Sequence, residues 1–351
     1  MLSPKIKNPA RILVLRYSSL GDVILTNPVL DRLKAAYPKA EIIYATKKYL
    51  APMVQYHPAV SGLVTLNGGG LLNFFKHVSS IWALKPDVVV DLHDSLRTRI
   101  IRLGLGQARV TVYDKEGRYR RLIVKKLQTK PSLHTVRKYL KALEVLGIPF
   151  APSVKCQVHV SKEGQKFADE YAIRQKIGKK MVIGLGPGAT WQTKQWLPEY
   201  YAQLASRWVK QYKAEILWFG NDKEVELITT IQSRMTVPVS QRGVCVAGQL
   251  TLEQSTALLG KCDYFLGSDS GLIHLASARG VPVTVIYGST TTSLGFEPWG
   301  KHQVAEVKGL DCRPCDVHGK KECPLGHFKC MKDLTPDKVE DQMKHLMGKK
   351  P

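Results

Sequence analysis

Four short segments that contain polar residues and glycine each follow an apolar run of the kind that predicts a β-strand. They comprise Gly21-Asp22, residues 186–190 with Lys194 close behind, residues 220–224 and residues 269–274. Open α/β sheets bind ligands at the carboxyl ends of their strands. Carboxylates, a lysine and a helix-starting glycine at these places could therefore perform acid–base chemistry and hold phosphate groups.

The stretch DSGLIH could hold an anion at the start of a helix. Unpaired N–H groups and the positive helix end at Ser270 and Gly271 can bind phosphate, and glycine lets the backbone approach closely. His274 would lie on the first turn of that helix. Alternatively, Ser268 or Asp269 only caps the helix and His274 packs against it, an interpretation that the spacing alone favours.

The stretch GLGPGA, which begins at Gly184, nominally fits the dinucleotide-binding fingerprint G-x-G-x-x-G/A. That fingerprint requires an apolar helix that packs at once against the sheet, and the following TWQTKQWLPEY is not one. We interpret the stretch instead as a loop that faces phosphate, with Thr190 and Lys194 as donors to a diphosphate. An ordinary surface loop with a solvated lysine fits the composition equally well.

Asp22 is the one acidic residue in the turn after the first predicted strand. A carboxylate there could act as a general base toward an acceptor hydroxyl. A carboxylate that only begins a helix is the commoner case, so its position alone does not establish a catalytic role.

The length, composition and charge of the chain limit the class of protein to which these segments can belong. With 351 residues the chain exceeds the size of a usual single core, and 44% hydrophobic residues suffice for two cores. The net charge of +23 attracts nucleic acid, an anionic membrane face or phosphorylated substrates. No apolar run approaches the roughly 20 residues that span a bilayer, and no secretory signal is visible. We therefore expect a cytoplasmic protein that can reach a membrane surface.

Strand and helix patterns alternate in both halves of the sequence. In the first half, an apolar run at residues 11–17 precedes a helix that starts at Asn27 and a strand at residues 41–45. The order strand, helix, strand predicts a βαβ unit and a parallel sheet. The pattern restarts at residues 181–185 and continues beyond them. Two such halves predict a two-lobed α/β protein.

Three stretches of the sequence resemble glycosyltransferase family nine, the lipopolysaccharide heptosyltransferases. They are RILVLRYSSLGDVILTNPVLDRLKAAYPKAEIIYATKKY, LGPGATWQTKQWLPEYYAQLA and DYFLGSDSGLIHLASARGVPVTVIYGSTTTS. The resemblance runs in order through nearly the whole chain. The S-x-G-D turn together with D-[ST]-G-x-x-H-x-A is far more specific than any single glycine pattern.

The resemblance implies a GT-B architecture, in which two Rossmann-like domains with parallel sheets face each other across a cleft. We expect an N-terminal acceptor-binding domain at residues 1–160 and a linker with a bridging helix at residues 161–180. A nucleotide-sugar-binding domain with a Cys-rich end follows at residues 181–332. The helix at residues 333–351 is expected to pack back on the N-terminal domain.

The resemblance also implies transfer of heptose from ADP-heptose with inversion, and it assigns roles to single residues. The family's catalytic aspartate falls on Asp22, which would deprotonate the acceptor hydroxyl, and its donor-phosphate lysine falls on Lys194. Glu224 lies where the family holds the nucleoside. The family often has paired hydroxyl residues where this sequence has Thr190-Trp191. The remaining assigned residues are Asp269, Ser270, Gly271 and His274 at the donor-site helix start, and Gly21 in the acceptor-site turn.

The charges at these positions are consistent with such a reaction. Lys194 and the helix start at Ser270 could stabilise the leaving nucleoside diphosphate without a metal. A single carboxylate suits direct inverting displacement, because a retaining double displacement would need a second carboxylate as nucleophile. We therefore expect that catalysis requires no cofactor.

Basic residues of the first half suit the acceptor of this family, which is the phosphorylated inner core of lipopolysaccharide at the cytoplasmic membrane face. Arginine binds phosphate or carboxylate groups bidentately. We hypothesise that four arginines help to seat the acceptor and that the protein contacts the inner membrane peripherally. A solvated basic face is the alternative. The four are Arg97, Arg99, Arg120 and Arg121.

Four cysteines cluster near the C-terminus, within nineteen residues. Four thiols at such spacing could hold a structural zinc ion, although C-x2-C-x7-C-x6-C is not one of the common finger patterns. Free thiols and disulfides are the alternatives. The four are Cys312, Cys315, Cys323 and Cys330.

Three other functions remain open at this point. The charge also fits a non-enzymatic protein that binds nucleic acid or an anionic surface, although no nucleic-acid-binding motif or stacking platform is visible. The stretch at Gly184 leaves room for an NAD-dependent oxidoreductase, and a related transferase could use another nucleotide sugar. We expect no specific nucleic-acid partner. We also expect a monomer, because no sustained extra apolar stripe is evident.

Overall fold

The computed structural model describes residues 8–151 and 153–347, which form two compact units. One unit contains the chain up to Glu116 together with Leu133–His159, and the other contains Gly117–Ser132 and the chain from Val160 onward. Each unit is built on its own parallel β-sheet. The fold class expected from the sequence, two α/β units with parallel sheets, is confirmed.

The first part of the chain alternates strands and helices. In chain order its elements are β1 (Arg11–Leu15), α1 (Leu20–Ile24), α2 (Asn27–Ala36), β2 (Glu41–Lys47), β3 (Gly62–Leu66), α3 (Leu71–Ala83), β4 (Val88–Asp91), α4 (Leu96–Leu103), β5 (Arg109–Val112), α5 (Gly117–Val124) and α6 (Thr135–Lys141). Helix α5 belongs to the second unit, and the other elements belong to the first.

The first sheet has the strand order β3-β2-β1-β4-β5, with all pairs parallel. Leu13 in the central strand lies in register with Ile43 on one side and Val89 on the other. From β1 the chain adds β2 and β3 on one side of the sheet, and it then crosses over to add β4 and β5 on the other side. The connections therefore run in opposite directions from the gap between β1 and β4. A crevice at the carboxyl ends of two such strands is where open α/β sheets bind ligands.

Helices α3 and α4 cover one face of the first sheet. Val78 and Ile81 of α3 and Ile101 of α4 pack with Leu13 and Leu15 of β1 in one apolar cluster. Each helix follows a strand of the parallel sheet directly. Both helices therefore begin at the carboxyl edge, on the same side as the turn after β1.

The second part of the chain builds the other unit. In chain order its elements are α7 (Lys162–Arg174), β6 (Val182–Gly186), α8 (Pro198–Tyr212), β7 (Glu215–Trp218), α9 (Val225–Ser233), β8 (Val244–Cys245), α10 (Leu252–Leu259), β9 (Tyr264–Ser268), α11 (Gly271–Ala278), β10 (Val283–Tyr287), β11 (His302–Glu306), α12 (Lys329–Lys332) and α13 (Pro336–Met347). The sheet order is β11-β10-β9-β6-β7-β8. Read from β8, this is the doubly wound order 3-2-1-4-5-6, with its switch point between β6 and β9.

The C-terminal helix packs on the second unit, whereas we expected it on the N-terminal domain. Helix α13 lies against α8, β10 and β11. Its Val339 and Met343 are buried in the same apolar cluster as Trp196 and Trp208. The apolar face of the helix therefore packs into the core of the second unit, and this tertiary contact explains the difference.

Residues 117–132, which we expected in the N-terminal domain, also belong to the second unit. The guanidinium group of Arg120 lies 4.1 Å from the centroid of the Phe296 ring. The Ser132 N–H donates to the Ser293 carbonyl at 2.8 Å. Helix α5 thus packs against the turn at Thr292–Leu294. This tertiary contact places α5 in the second unit, and no local sequence pattern predicts it.

Residues 161–180, which we expected to be a linker with a bridging helix, contain α7, which belongs to the second unit and packs along its α10. The hydroxyl of its N-cap residue Ser161 donates a 2.5 Å hydrogen bond to the Glu253 carboxylate. Across the described ranges, no helix has both the length and the apolar character needed to cross a membrane.

Candidate active site

The turn after β1 holds the carboxylate of Asp22 in a fixed position. Ser19 caps α1, and both its N–H and its hydroxyl donate to Asp22 Oδ2, at 3.1 and 2.7 Å. Ser19 and Asp22 are the two residues of a capping box, which a serine followed three residues later by an acidic residue favours at a helix start. The Tyr139 hydroxyl donates to Asp22 Oδ1 at 3.3 Å. The Asp22 side chain keeps 18% of its surface exposed, so a substrate can reach it.

Arg16 forms a buried ion pair with Asp22, with 2.8 Å between Nη2 and Oδ2. Its guanidinium also donates to the Ser18 and Leu92 carbonyls and, at 3.2 Å, to the Tyr113 hydroxyl. Burial lowers the pKa of Arg16, but the nearby Asp22 carboxylate and two tyrosines raise it more, and the net shift is upward. A permanent cation therefore lies against the Asp22 carboxylate.

The loop after β4 completes this edge of the first sheet. His93 Nδ1 accepts a hydrogen bond from the Tyr17 N–H at 3.1 Å. Burial, followed by the positive charges of Arg16 and Lys115, lowers the pKa of His93 to about 3. His93 is therefore neutral near pH 7. The buried Asp91 carboxylate holds the loop by accepting the His93 N–H at 2.9 Å.

In the second unit, an ion pair joins the carboxyl ends of β6 and β9. Lys194 Nζ lies 2.6 Å from Asp269 Oδ2, and both side chains are largely buried. The Thr290 hydroxyl donates to the same oxygen at 2.8 Å. Ser289 and Thr193 lie beside it, with 2.9 Å between their hydroxyls. Hydroxyl groups, a lysine and a carboxylate thus converge at the switch point of the second sheet.

Helix α11 begins at this point, with Ser270 as its N-cap residue and Gly271 as its first residue. The N–H groups of its first turn have no partners within the helix, so they can bind an anion. Glycines keep the neighbouring strands close, because a Cβ atom on Gly186 or Gly267 would lie 2.9 Å from the Phe265 ring. The helix start is thereby brought against the end of β6.

Glu224 follows β7 and reaches the loop after β6. Its carboxylate accepts the Asn221 N–H at 2.9 Å. A Cβ atom on Gly188 would lie only 2.0 Å from Glu224 Oε1, and one on Gly220 would lie 2.8 Å from Oε2. These glycines therefore make the space that the carboxylate occupies. Burial raises the pKa of Glu224, and Asp222 adds to the rise while the Asn221 hydrogen bond opposes it.

Comparison with known proteins assigns the chain to a family. A model of glycosyltransferase family 9 (heptosyltransferase) matches residues 74–327. The chain belongs to glycosyltransferase family 9. A lipooligosaccharide heptosyltransferase 2 of Campylobacter jejuni serotype O:2 is 33% identical over 335 residues, 93% of this chain and 95% of that protein. The lipopolysaccharide heptosyltransferase 2 of Escherichia coli K12 is 25% identical, covering 96% of this chain and 98% of that one.

Solved structures with low sequence identity share the fold of this family 9 chain. A family 9 glycosyl transferase of Veillonella parvula superimposes with a TM-score of 0.80 at 20% identity, covering 97% of each chain. The ADP-heptose lipopolysaccharide heptosyltransferase II of E. coli gives a TM-score of 0.75 at 22% identity, covering 96% of this chain and 98% of that one. The GT-B fold is confirmed, and the chain is a glycosyltransferase by its family.

The structure brings together most of the donor-site residues that the sequence analysis singled out. Lys194, Asp269, Ser270 and Gly271 lie together at the start of α11. His274 is buried on that helix, as in the interpretation that it packs there. Thr190 is exposed in the loop after β6.

The four candidate acceptor arginines are divided between the two units. Arg97 and Arg99 lie exposed on α4 of the first unit, where Arg99 pairs with Asp94 at 3.3 Å. Arg120 and Arg121 lie on α5 of the second unit. Arg120 is buried against Phe296, whereas Arg121 is exposed.

The stretch at Gly184 does not form the strand–turn–helix structure that the dinucleotide-binding fingerprint requires. Strand β6 extends to Gly186, so the first two glycines of the pattern lie inside the strand and not in the turn after it. Both are packing positions: a Cβ atom on Gly184 would lie 2.6 Å from the Phe265 ring. The oxidoreductase interpretation loses its support.

The four C-terminal cysteines are free thiols. Among the residues that the structure describes, no group of three or more His, Cys, Asp or Glu side chains is arranged to hold a metal ion. The Cys315 thiol donates to the Cys312 carbonyl at 3.0 Å. Burial raises the pKa of Cys330 to about 11, which keeps that thiol protonated near pH 7.

Three residues around Asp22 escaped the sequence analysis, namely Arg16, His93 and Tyr139. His93 could have been found, because it lies in a polar segment just after a buried strand, the rule that identified the other turns. Arg16 ends an apolar run, where a buried arginine is not expected. Tyr139 lies 117 residues from Asp22 in the sequence, and only the tertiary fold brings them together.

The low pKa of His93 predicts how acid affects stability. Between pH 6.5, its ordinary pKa, and about 3, the unfolded chain binds a proton at His93 that the folded chain does not. The free energy of unfolding therefore falls as the pH drops through this window. His93→Asn, whose amide oxygen can still accept the Tyr17 N–H, should lose less stability between neutral pH and pH about 4 than the wild type.

Urea unfolding at the two pH values measures this difference, and His345→Asn on the exposed face of α13 is the matched control. The control should lose as much stability as the wild type. An equal loss in all three proteins would show that His93 titrates normally in the folded chain.

Proposed function

We propose that this protein transfers heptose from ADP-heptose to the anionic inner core of lipopolysaccharide, with inversion at the transferred sugar. Family membership supports the reaction class. The relatives described above, named for heptosyl transfer to lipooligosaccharide or lipopolysaccharide, support the substrates. The observation that carries the mechanism is the geometry of Asp22, a partly exposed carboxylate that three neighbours fix at the carboxyl edge of the first sheet.

Asp22 acts as the general base in this proposal. We assign proton acceptance to Oδ1, beside Tyr139, because Ser19 and Arg16 already contact Oδ2. The acceptor oxygen forms the bond to the anomeric carbon as its proton passes to Asp22. The bond from that carbon to the diphosphate breaks on the opposite face, and ADP leaves with the electron pair. One carboxylate is enough for this single displacement.

Lys194 and the start of α11 stabilise the leaving diphosphate. Lys194 is held at the site by Asp269, and the N–H groups after Ser270 point out of the helix end. Positive charge that is fixed before the reaction stabilises negative charge as it develops on the leaving group. Thr290 and Thr190 are the hydroxyl partners that we assign to the diphosphate. These groups supply the charge stabilisation from the chain itself, so the proposal includes no metal ion.

Glu224 is assigned to the nucleoside of the donor. Its carboxylate fills the space that Gly188 and Gly220 leave beside the loop after β6, close to the proposed diphosphate site. A carboxylate in that position can accept hydrogen bonds from ribose hydroxyls. Its partial burial strengthens such bonds, because water competes less for them.

The anionic acceptor is assigned to the cationic carboxyl edge of the first unit. Arg97 and Arg99 lie near the start of α4 at this edge, and Gly21 lies in α1 beside Asp22. Arginine at the start of a helix can bind phosphate groups bidentately. Arg121 of the second unit is a further candidate for this role, whereas Arg120 holds α5 in place through Phe296. We propose that the enzyme works as a monomer at the cytoplasmic face of the inner membrane.

Nucleotide binding is the first test of the donor site. Calorimetric titration of ADP, UDP, GDP and NAD should show a preference for ADP. Lys194→Ala should weaken ADP binding by about tenfold or more, because it removes a charge-assisted contact to phosphate. Lys210→Ala, on the exposed side of α8, is the matched control and should bind as the wild type does. Preference for UDP or GDP would favour another nucleotide sugar, and no nucleotide binding would contradict the proposal.

Asp22→Asn tests the proposed base. The amide keeps the shape of the side chain but cannot accept the proton, so kcat should fall by about 10²- to 10⁴-fold. The Kd for ADP should stay unchanged, because the residue belongs to the first unit. Asp31→Asn, an exposed aspartate of α2, controls for loss of a charge. Near-wild-type turnover by Asp22→Asn would assign the base elsewhere.

Tyr139→Phe tests whether the hydroxyl positions the base. Loss of one hydrogen bond to a carboxylate should lower kcat by about tenfold. The Kd for ADP and the thermal midpoint should change little. Tyr113→Phe is the matched control, because that hydroxyl meets Arg16 and is buried in the same cluster. If the two substitutions lowered kcat equally, the Tyr139 hydroxyl would have no specific role in positioning Asp22, and the residue would contribute only packing.

A further inference from the structure

The first turns of α3 expose three large apolar side chains to solvent. Leu71 is 76% exposed, Leu72 69% and Phe75 55%. The opposite side of the same helix packs Val78 and Ile81 into the core of the first unit. A surface helix normally presents polar residues on its outer face, and a contiguous exposed apolar group marks an interaction site. We call Leu71, Leu72 and Phe75 the edge patch.

A turn of three glycines places the edge patch at the rim of the unit. Gly68 and Gly70 adopt positive φ angles of 64° and 98°, which L-residues with side chains rarely adopt. This turn leads from β3 directly into α3. The edge patch therefore lies at the carboxyl edge of the first sheet.

Positively charged residues lie beside the edge patch. Strand β2 pairs with β3 so that Lys47 lies in register with Leu66, just before the glycine turn. Lys48 and Tyr49 follow at the same edge, and both are exposed. Lys76 is exposed on α3 itself. The edge patch thus combines apolar side chains with neighbouring cations and one tyrosine.

We propose that the edge patch docks the protein onto an anionic lipid bilayer. Surfaces that bind the membrane interface combine apolar side chains, which enter the acyl boundary, with lysines that meet anionic headgroups. Tyrosine is favoured at the same depth. The net charge of +23 adds a long-range attraction to such a surface. This inference rests on the proposed function, because a membrane-anchored acceptor gives the docking its purpose.

The place of the edge patch in the sheet connects it to Asp22. Strand β3 lies two strands from β1, a separation of about 10 Å along the edge. Asp22 follows β1 at the same edge. Docking through the edge patch therefore brings the proposed base to the membrane surface, where the sugars of a lipid-linked acceptor lie.

Charge disfavours a second copy of this chain as the occupant. A two-fold contact through the edge patch would bury the same surface of both copies against each other. Lys47, Lys48 and Lys76 of both copies would then gather around one apolar contact, with six positive charges close together and no anion to neutralise them. An anionic bilayer instead neutralises these charges, so the apolar and the charged parts of the surface favour the same partner.

Vesicle sedimentation tests the proposal with the full chain. The wild type should bind vesicles that contain both phosphatidylglycerol and phosphatidylcholine. It should bind much more weakly to vesicles of phosphatidylcholine alone. Leu71→Ser/Leu72→Ser/Phe75→Ser should weaken binding to the anionic vesicles by about tenfold or more, because three apolar side chains no longer enter the bilayer. Ile173→Ser/Val239→Ser is the matched control, since both side chains are exposed on the second unit. It should bind as the wild type does.

Activity assays separate failure of this proposal from failure of the proposed function. The triple variant should keep its Kd for ADP and its transfer rate to a soluble, deacylated acceptor, and should lose activity only on acceptor embedded in vesicles. Vesicle binding equal to that of the wild type would overturn the docking surface, even if heptose transfer is observed. A wild-type dimer that the triple substitution dissociates would overturn it too and assign the edge patch to a second copy.

Discussion

The buried ion pair between Arg16 and Asp22 is the interaction on which the first unit's site depends. A buried charge is costly unless it is paired and hydrogen-bonded. The guanidinium is satisfied by the carboxylate, two carbonyl groups and a tyrosine hydroxyl. These contacts tie the turn after β1 to the loop after β4. The carboxylate that we assign to catalysis is therefore also the counter-ion that allows Arg16 to be buried, which fixes its orientation in the absence of substrate.

The second unit also has a largely buried ion pair that holds its charged side chains in place, between Lys194 and Asp269. In both units an ion pair lies where the chain connections diverge between neighbouring parallel strands, the place where helix starts and strand ends meet. Close approach of these elements depends on glycine, since Phe265 fills the space that side chains on Gly186 and Gly267 would need. The geometry of the proposed donor site thus follows from strand packing as much as from the polar residues.

Local sequence patterns were sufficient to find residues at strand ends, and insufficient to find what packs against them. Asp22 and Asp269 stand in the turns after apolar runs, and Lys194 lies in the segment that follows another such run, so the rule for parallel sheets identifies all three. Tyr139 meets Asp22 only because helix α6 returns to the first unit. The placement of α5 and α13 also escaped prediction, because an amphipathic helix shows which face is buried but not which core receives it. Likewise, the spacing of the four cysteines does not determine how close their thiols come.

The ion pair at Lys194 has a consequence for the way in which the proposed donor site would receive a diphosphate. Asp269 is an anion beside the proposed phosphate position, so by itself it would repel the ligand. Lys194 lies 2.6 Å from it, and Thr290 donates to the same oxygen. The carboxylate thereby holds the ammonium group in place, and the N–H groups of α11 supply further positive potential. Asp269 is best understood as a residue that positions Lys194, because the lysine can contact phosphate and carboxylate at once and needs no rearrangement when the donor binds.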